Sequence, residues 1–289
     1  MKARLASLIA VIGMVSVSVV AQAQGPSGPL HDGRGGLAYV IAGLAFQFGA
    51  LDLASGRFVP IGPGLPPDAG AQGLVQGPGS SLFTLTFSGN LAAVNPFTGE
   101  GSTVGYTGLR DCSVPGSNYP DCANVIGQVG GHLYAADFAN NLYSVDSKTG
   151  VATLIGPTGM PALTFAPFSA NADGTVNVYS ESFVSAHGRL FANFATATTD
   201  FVTVNPVIPG ALYEIDRSTG QATRIGPTDT NITAMVNVND TVYAFDIFTN
   251  QVLVLDVTTG ETTPVTGIDP AAGPIAGAAP ASPFPAVSR

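Results

Sequence analysis

Apolar and polar residues alternate along most of this chain in short runs, and five of those runs end in the same way. Each is followed by Asp or Asn, two variable residues, a small residue and Gly, and then by a second short alternating run. The copies are Ala50-Leu51-Asp52-Leu53-Ala54-Ser55-Gly56, Val94-Asn95-Pro96-Phe97-Thr98-Gly99 and Val145-Asp146-Ser147-Lys148-Thr149-Gly150. Ile215-Asp216-Arg217-Ser218-Thr219-Gly220 and Leu255-Asp256-Val257-Thr258-Thr259-Gly260 complete the set. Alternation with a period of two predicts half-buried strands. At a turn entrance, Asp or Asn accepts hydrogen bonds from backbone N–H groups two residues on, and Gly supplies the left-handed closing residue. Each copy therefore reads as strand, tight turn, strand. The five Asp/Asn residues are expected to be structural, although they resemble a catalytic series.

Two further strands precede each phrase except the first. The nearer ones are Leu82-Phe83-Thr84-Leu85, Leu133-Tyr134-Ala135-Ala136, Leu190-Phe191-Ala192-Asn193 and Val242-Tyr243-Ala244-Phe245. The farther ones are Gly73 to Gln76, Asn124 to Val129, Glu181 to Val184 and Thr233 to Val238. Four strands, A to D, repeated about every 40–50 residues are the signature of a β-propeller with one copy per blade. The expected fold is all-β: a single propeller of five four-stranded blades over residues 36–280. The aromatic at the second B position is expected to pack between blades.

In the first blade only B (Leu37 to Ile41) and C (Leu44 to Leu51) precede the phrase. Ile275 to Ala279 supplies the missing innermost strand, closing the ring between the chain ends and removing free edges. The gap from Asp146 to Asp216 is long enough for a degenerate sixth blade, and Val204-Asn205-Pro206 echoes Val94-Asn95-Pro96. Asn205 is followed almost at once by Leu212-Tyr213-Glu214-Ile215, which leaves no room for a D strand. An enlarged B–C loop fits that gap better.

The phrase Leu-Tyr-x-Ile-Asp-x-x-Thr-Gly-x-x-Thr-x-Ile-Gly, clearest at Leu142 to Gly156 and Leu212 to Gly226, resembles the blades of secreted bacterial β-propellers. That group includes the NHL, YVTN and PQQ-like repeat families. The resemblance covers about residues 36 to 280 and implies the fold more than an activity, because such proteins bind, hydrolyse, oxidise or scaffold. The tryptophan-docking pattern of the quinone-binding members is absent, since the chain has no Trp.

The first residues read as an export signal over 1–23. Lys2 and Arg4 lead an apolar stretch from Leu5 to Val20, and Ala21-Gln22-Ala23 fits a small-x-small cleavage site. The stretch is short for a membrane span. Residues 24–35 read as a flexible lead-in and 281–289 as a C-terminal tail. A secreted or periplasmic monomer without a membrane span is expected. Loss of Lys2 and Arg4 deepens a formal charge that is already −9, a balance that repels phosphate backbones and argues against nucleic acid. Cys112 and Cys122 are the two cysteines and share one loop. In an exported protein a disulfide between them is the default reading.

Candidate chemistry follows from loop lengths. The A–B and C–D turns are short, whereas the D–A segments Pro63 to Gln72, Gly105 to Ala123 and Thr158 to Val178, with the B–C segment Thr196 to Pro209, are long and share the opposite face. Long loops on a rigid scaffold carry function more often than the scaffold does. His132 and His187 fall on the short-loop face and His31 in the lead-in. No Ser-His-Asp set, zinc-binding His motif, nucleophile elbow or phosphate loop is present.

Counting back nine residues from each B strand reaches Gly73, Asn124, Glu181 and Thr233, which would ring the mouth of the channel on the long-loop face. Asp137 and Asp246 end their B strands on the same side. Glu181, Asp137, Asp246, Asn124 and Thr233 are thus the candidate ligand-binding residues. Such a set suits a hard cation such as Ca2+, a polar ligand, or an acid/base pair. Against it stands a bland reading in which the two Asp cap turns and Glu181 is solvated. The favoured function is binding of a small polar ligand, a glycan or an extracellular protein on the long-loop face. The alternative is a lyase or hydrolase using the mouth carboxylates, and a third reading is a purely structural envelope protein.

Overall fold

The alternating runs become strands, and the repeated phrase becomes the outer hairpin of each blade. A computed structural model describes residues 36–43, 46–65, 71–78, 81–109, 122–161, 171–200, 203–228 and 231–281. Blade one holds β1 (Leu37–Ala42), β2 (Gln47–Asp52) and β3 (Phe58–Pro60); blade two holds β4 (Ala71–Gln76), β5 (Leu82–Thr86), β6 (Asn90–Val94) and β7 (Gly101–Tyr106). Blade three holds β8 (Ala123–Val129), β9 (His132–Asp137), β10 (Asn141–Val145) and β11 (Ala152–Pro157). Blade four holds β12 (Val176–Ala186), β13 (Arg189–Thr199), β14 (Val204–Ile215) and β15 (Ala222–Pro227). Blade five holds β16 (Ile232–Val238), β17 (Thr241–Asp246), β18 (Gln251–Leu255) and β19 (Thr262–Gly267).

The last strand, β20 (Ile275–Pro280), returns to blade one and pairs antiparallel with β1, giving the order β20-β1-β2-β3. The result is five antiparallel sheets of four strands, a five-bladed β-propeller closed as expected by its two ends. The innermost strands β4, β8, β12, β16 and β20 contact one another in a closed circle around the axis. At the closure, Thr233 on β16 donates its hydroxyl to the Ile275 carbonyl at 2.7 Å.

Five hydrophobic wedges hold the ring, one at each seam between blades. Leu51 and Phe245 share the seam of blades five and one, Phe48 and Leu82 that of one and two, and Phe83 and Leu133 that of two and three. Tyr134 and Phe183 meet between blades three and four, and Phe191 and Met235 between four and five. The second B-strand aromatics Phe83, Tyr134, Phe191 and Tyr243 all lie in these seams. They are core residues, as their position in the repeat predicts.

The outer hairpins turn as the Asp/Asn residues dictate. Asp146 Oδ1 accepts from Lys148 N at 2.7 Å and Thr149 N at 3.1 Å, and Gly150 N returns to the Asp146 carbonyl at 2.8 Å. The last Gly of the phrase has a separate task. A Cβ on Gly226 would lie 1.8 Å from the Thr259 carbonyl oxygen, and one on Gly156 would lie 2.5 Å from that of Thr219. The outer strands of blades three and four therefore end against the next blade's turn, where no side chain fits.

Three expectations need correction. The second strand of blade one starts at Gln47 rather than Leu44, because Gly43 and Phe46 take left-handed φ values of 66° and 50° and close a turn. The segment Thr196 to Pro209 is mostly strand rather than loop. β13 runs to Thr199 and β14 starts at Val204, pairing Thr196 with Ile208 and Thr199 with Val204. On the inner side β12 starts at Val176, well before the expected Glu181. Val, Ile and Thr suit these extended positions, and Pro206 and Pro209 are tolerated because β15 pairs only with Ala211 to Ile215. Blade four thus carries a three-stranded arm that reaches about 16 Å past Glu181 on the long-loop side.

Candidate functional site at the channel mouth

The site rests on a difference in backbone register. Near the mouth, β8 skips Asn124, β16 skips Thr233, β20 skips Ala276 and β4 skips Gly73 and Leu74 in pairing with the next strand. Such bulges bend a strand and re-aim one side chain. β12 alone pairs all eleven of its residues with β13 in unbroken register, so Glu181 stands opposite Phe194. The long, straight β12 carries Tyr179, Glu181 and Phe183 on its blade-three face, with Ser180 and Ser182 on the other.

Glu181 lines the central channel together with Gly73, Ser182 and Thr233, and it is only 7% exposed. Its Oε2 accepts a hydrogen bond from the Asn124 side-chain amide of blade three. Burial, and secondarily the nearby Asp137 carboxylate, push the Glu181 carboxyl up to about 8, against the opposing effect of the Asn124 bond. At neutral pH the group is chiefly an uncharged acid, able to donate as well as accept.

Asp137 serves its own hairpin. Oδ1 accepts from Asn141 N at 2.8 Å, and Oδ2 accepts from the Asn141 amide at 2.9 Å and the Tyr143 hydroxyl at 2.8 Å. Burial raises this carboxyl too, with the Asn141 and Tyr143 bonds opposing the rise. Asp246 accepts from Phe248 N at 2.8 Å and Thr249 N at 2.7 Å, closing the turn after β17. Thr233 faces the channel while its hydroxyl bridges to Ile275. The five predicted residues therefore divide. Glu181 and Asn124 form one contact, Asp137 stands close enough to act on that contact electrostatically, Asp246 binds backbone of blade five, and Thr233 binds backbone of β20 in blade one. Among the described residues no group of three or more His, Cys, Asp or Glu comes together to hold a metal ion. A calcium ion usually takes six to eight oxygens.

The repeat count did not pick out Ser180, Ser182, Tyr179 or Asn193. Among the described residues, six buried side-chain polar atoms have no hydrogen-bond partner, and four of them belong to Asn124, Ser180, Glu181 and Ser182. Tyr179 meets the Phe138 ring edge-on at 5.0 Å, and burial followed by the Glu181 charge raises its hydroxyl above the usual range. Asn193, fully buried, donates to the Ile232 carbonyl at 3.3 Å and accepts from the Thr228 hydroxyl at 2.8 Å. The signal for Ser180 and Ser182 was the run Ser180-Glu181-Ser182, polar at three successive positions where the other blades hold at most one polar residue among apolar or glycine neighbours.

Apolar side chains narrow the channel. Leu74, Val125, Ile126, Phe183, Met235 and Ala278 line it, leaving about 10 Å3 open to the centre of a water-sized group. That is room for roughly one water molecule. His132 and His187 lie at short A–B turns, His187 with a left-handed φ of 50°. Cys122 is fully buried next to β8, whereas Cys112, His31, the export signal, the lead-in and the tail from residue 282 lie outside the described residues. No helix among the described residues is long and apolar enough to cross a membrane.

No protein-family model and no curated protein matches the sequence. Solved structures do share its outline. The chain is similar to one in a nidogen/laminin complex, at 12% identity and a TM-score of 0.47, over 84% of this chain and 97% of that one. It is similar to a Bacteroides thetaiotaomicron protein of unknown function at 14% identity and a TM-score of 0.46, over 79% of this chain and 54% of that one. A Myxococcus xanthus glutaminyl cyclase follows at 15% identity and a TM-score of 0.38, with 74% and 72% covered. Likenesses this distant bear on neither ligand nor activity.

Proposed function

We propose that the protein is an exported β-propeller, of the secreted bacterial type its repeats resemble, that binds a small polar ligand at the channel mouth on its long-loop face without catalysing a reaction. The observation that carries this reading is Glu181: a buried carboxyl on the one unbulged inner strand, held on one oxygen by Asn124 and without a partner on the other. An unsatisfied buried polar atom is costly unless something completes it. The Cys112–Cys122 disulfide is part of the proposal, as a staple for the loop that leads into β8.

The binding reading is preferred to the acid/base one because Asp137, the carboxylate acting on Glu181, is buried and already accepts three hydrogen bonds from its own hairpin. A general base needs an open approach to the proton it takes.

Thermal-shift and NMR titration of the full chain with a panel of amines, polyols, monosaccharides and small amides tests the reading. At least one class should bind saturably to the wild type and at least tenfold more weakly to Glu181→Ala and Asn124→Ala. Failure of every class, or binding indifferent to both substitutions, overturns it.

A further inference from the structure

We propose that the group taken by this mouth is a primary ammonium ion, with the Glu181 carboxylate accepting its hydrogen bonds. The inference rests on the channel mouth being the binding site and names the chemistry that completes it. The unpartnered atoms there, Glu181 Oε1, Ser182 Oγ and Asn124 Oδ1, are all oxygens. Asn124 spends one amide N–H on the other carboxyl oxygen, Glu181 Oε2. Once Glu181 ionises, its Oε1 lacks a donor, and an ammonium head carries three.

Charge and size point the same way. Among the described residues no Lys, Arg or His lines the channel, so none of them neutralises Glu181 once it ionises. Asp137 on β9 adds negative charge from blade three. The other neighbours contribute no charge: Asn124 on β8, Tyr179 on β12 itself, Phe194 opposite on β13, Thr233 to Met235 on β16, Ala276 to Ala278 on β20, and Gly73 and Leu74 on β4. Tyr143 faces Asp137 rather than the channel, and Asp246 is held in its own turn. The opening of about 10 Å3 admits one water-sized head and excludes a sugar ring or a quaternary ammonium.

Binding is an exchange of like charges. Protonated Glu181 gives its proton to solvent as the ammonium ion arrives, leaving a carboxylate paired with the cation. With the carboxyl raised to about 8, binding at pH 7 should release close to one proton. Affinity should rise by up to tenfold per pH unit below 8 and level off above it.

Calorimetric titration of the full chain with methylammonium chloride at constant ionic strength, in two buffers of different ionisation enthalpy, tests this. The expected result is saturable binding with proton release, absent for tetramethylammonium and at least tenfold weaker for K+. Glu181→Gln should abolish the proton release and weaken binding at least tenfold. A second arm uses Nα-acetyl-lysine-N′-methylamide: binding at least as tight as methylammonium assigns the group to a lysine of a protein partner, and weaker binding assigns it to a free amine. No methylammonium binding, equal binding of K+, or unchanged proton release in Glu181→Gln overturns the inference. If methylammonium fails while a neutral polyol, sugar or amide binds in a Glu181-dependent way, the ammonium assignment falls and the binding site stands. If every probe fails, both fall.

Discussion

Asn124 and Glu181 are 57 residues apart in sequence, yet the amide of one donates to the carboxyl of the other across the seam between blades three and four. The contact exists because β8 bulges at Asn124 while β12 does not bulge at Glu181. It leaves Glu181 with a folded-state value of about 8, well above that of an unfolded chain. The folded protein therefore holds a proton that the unfolded chain releases between about pH 4.5 and 8, and stability falls as pH rises through that window. The slope should approach about 1.4 kcal/mol per pH unit at most, with Asp137, also raised, acting in the same direction at its lower end. Urea denaturation from pH 5 to 9 should show this decline, and Glu181→Gln should flatten it. A wild-type profile that is already flat would contradict the assignment.

Asp137 connects the hairpin of blade three to that proton. Asp137→Asn removes a charge that raises Glu181 and sets an amide against the two donors now at Oδ2, Asn141 and the Tyr143 hydroxyl. The substitution should cost about 1–3 kcal/mol and move the pH midpoint of the stability decline downward. Destabilisation with an unmoved midpoint would mean that Asp137 serves the hairpin alone.

Two rim glycines, at adjacent positions of the repeat in blades four and five, offer a paired test. Gly226→Ala places a methyl group 1.8 Å from the Thr259 carbonyl oxygen, whereas a Cβ at Gly267 meets nothing within 4 Å. The first should destabilise by about 1–3 kcal/mol, and the second should fall within about 0.5 kcal/mol of wild type. Both should be read from the urea midpoint at unchanged m-value. Equal effects would show that the outer strands do not lock against the neighbouring turns.

The repeats made the fold legible because each carries its turn chemistry in sequence: Asp or Asn to accept, Gly to close, apolar alternation on either side. The strand that closes the ring was legible for the same reason, since Ile275 to Ala279 could only complete a blade short of one strand. The arm of blade four was not. Thr196 to Pro209 contains two prolines, which signal a loop in a central strand, and only the three-dimensional pairing shows that this stretch borders no fourth strand. The site was half legible. Counting from the repeat placed Glu181 beside Asn124, but the count assumed one register for all blades. The bulges at Asn124 and Thr233, absent at Glu181, leave no mark in the hydrophobic pattern. For the same reason Asp137 and Asp246, equivalent in sequence, differ in role: one influences Glu181 and the other only closes its turn.

Closure of the ring supplies the last prediction. β20 is the inner strand of blade one, and it touches the inner strands of blades two and five. Removing it would strip β1 of its inner partner and expose a sheet edge, which invites pairing between molecules. Ending the chain at Gly273 should therefore yield an aggregated product rather than a merely weakened monomer, as size-exclusion chromatography would show. Thr233→Val isolates the polar part of the closure, because it keeps the shape of the side chain and removes the hydroxyl that donates to the Ile275 carbonyl at 2.7 Å. It should cost about 1 kcal/mol and leave a monomer. Hydrogen exchange should quicken at the β16 and β20 amides, while the distant seam between blades two and three keeps its protection. Uniformly faster exchange around the whole ring would instead mean that the five blades open as one cooperative unit.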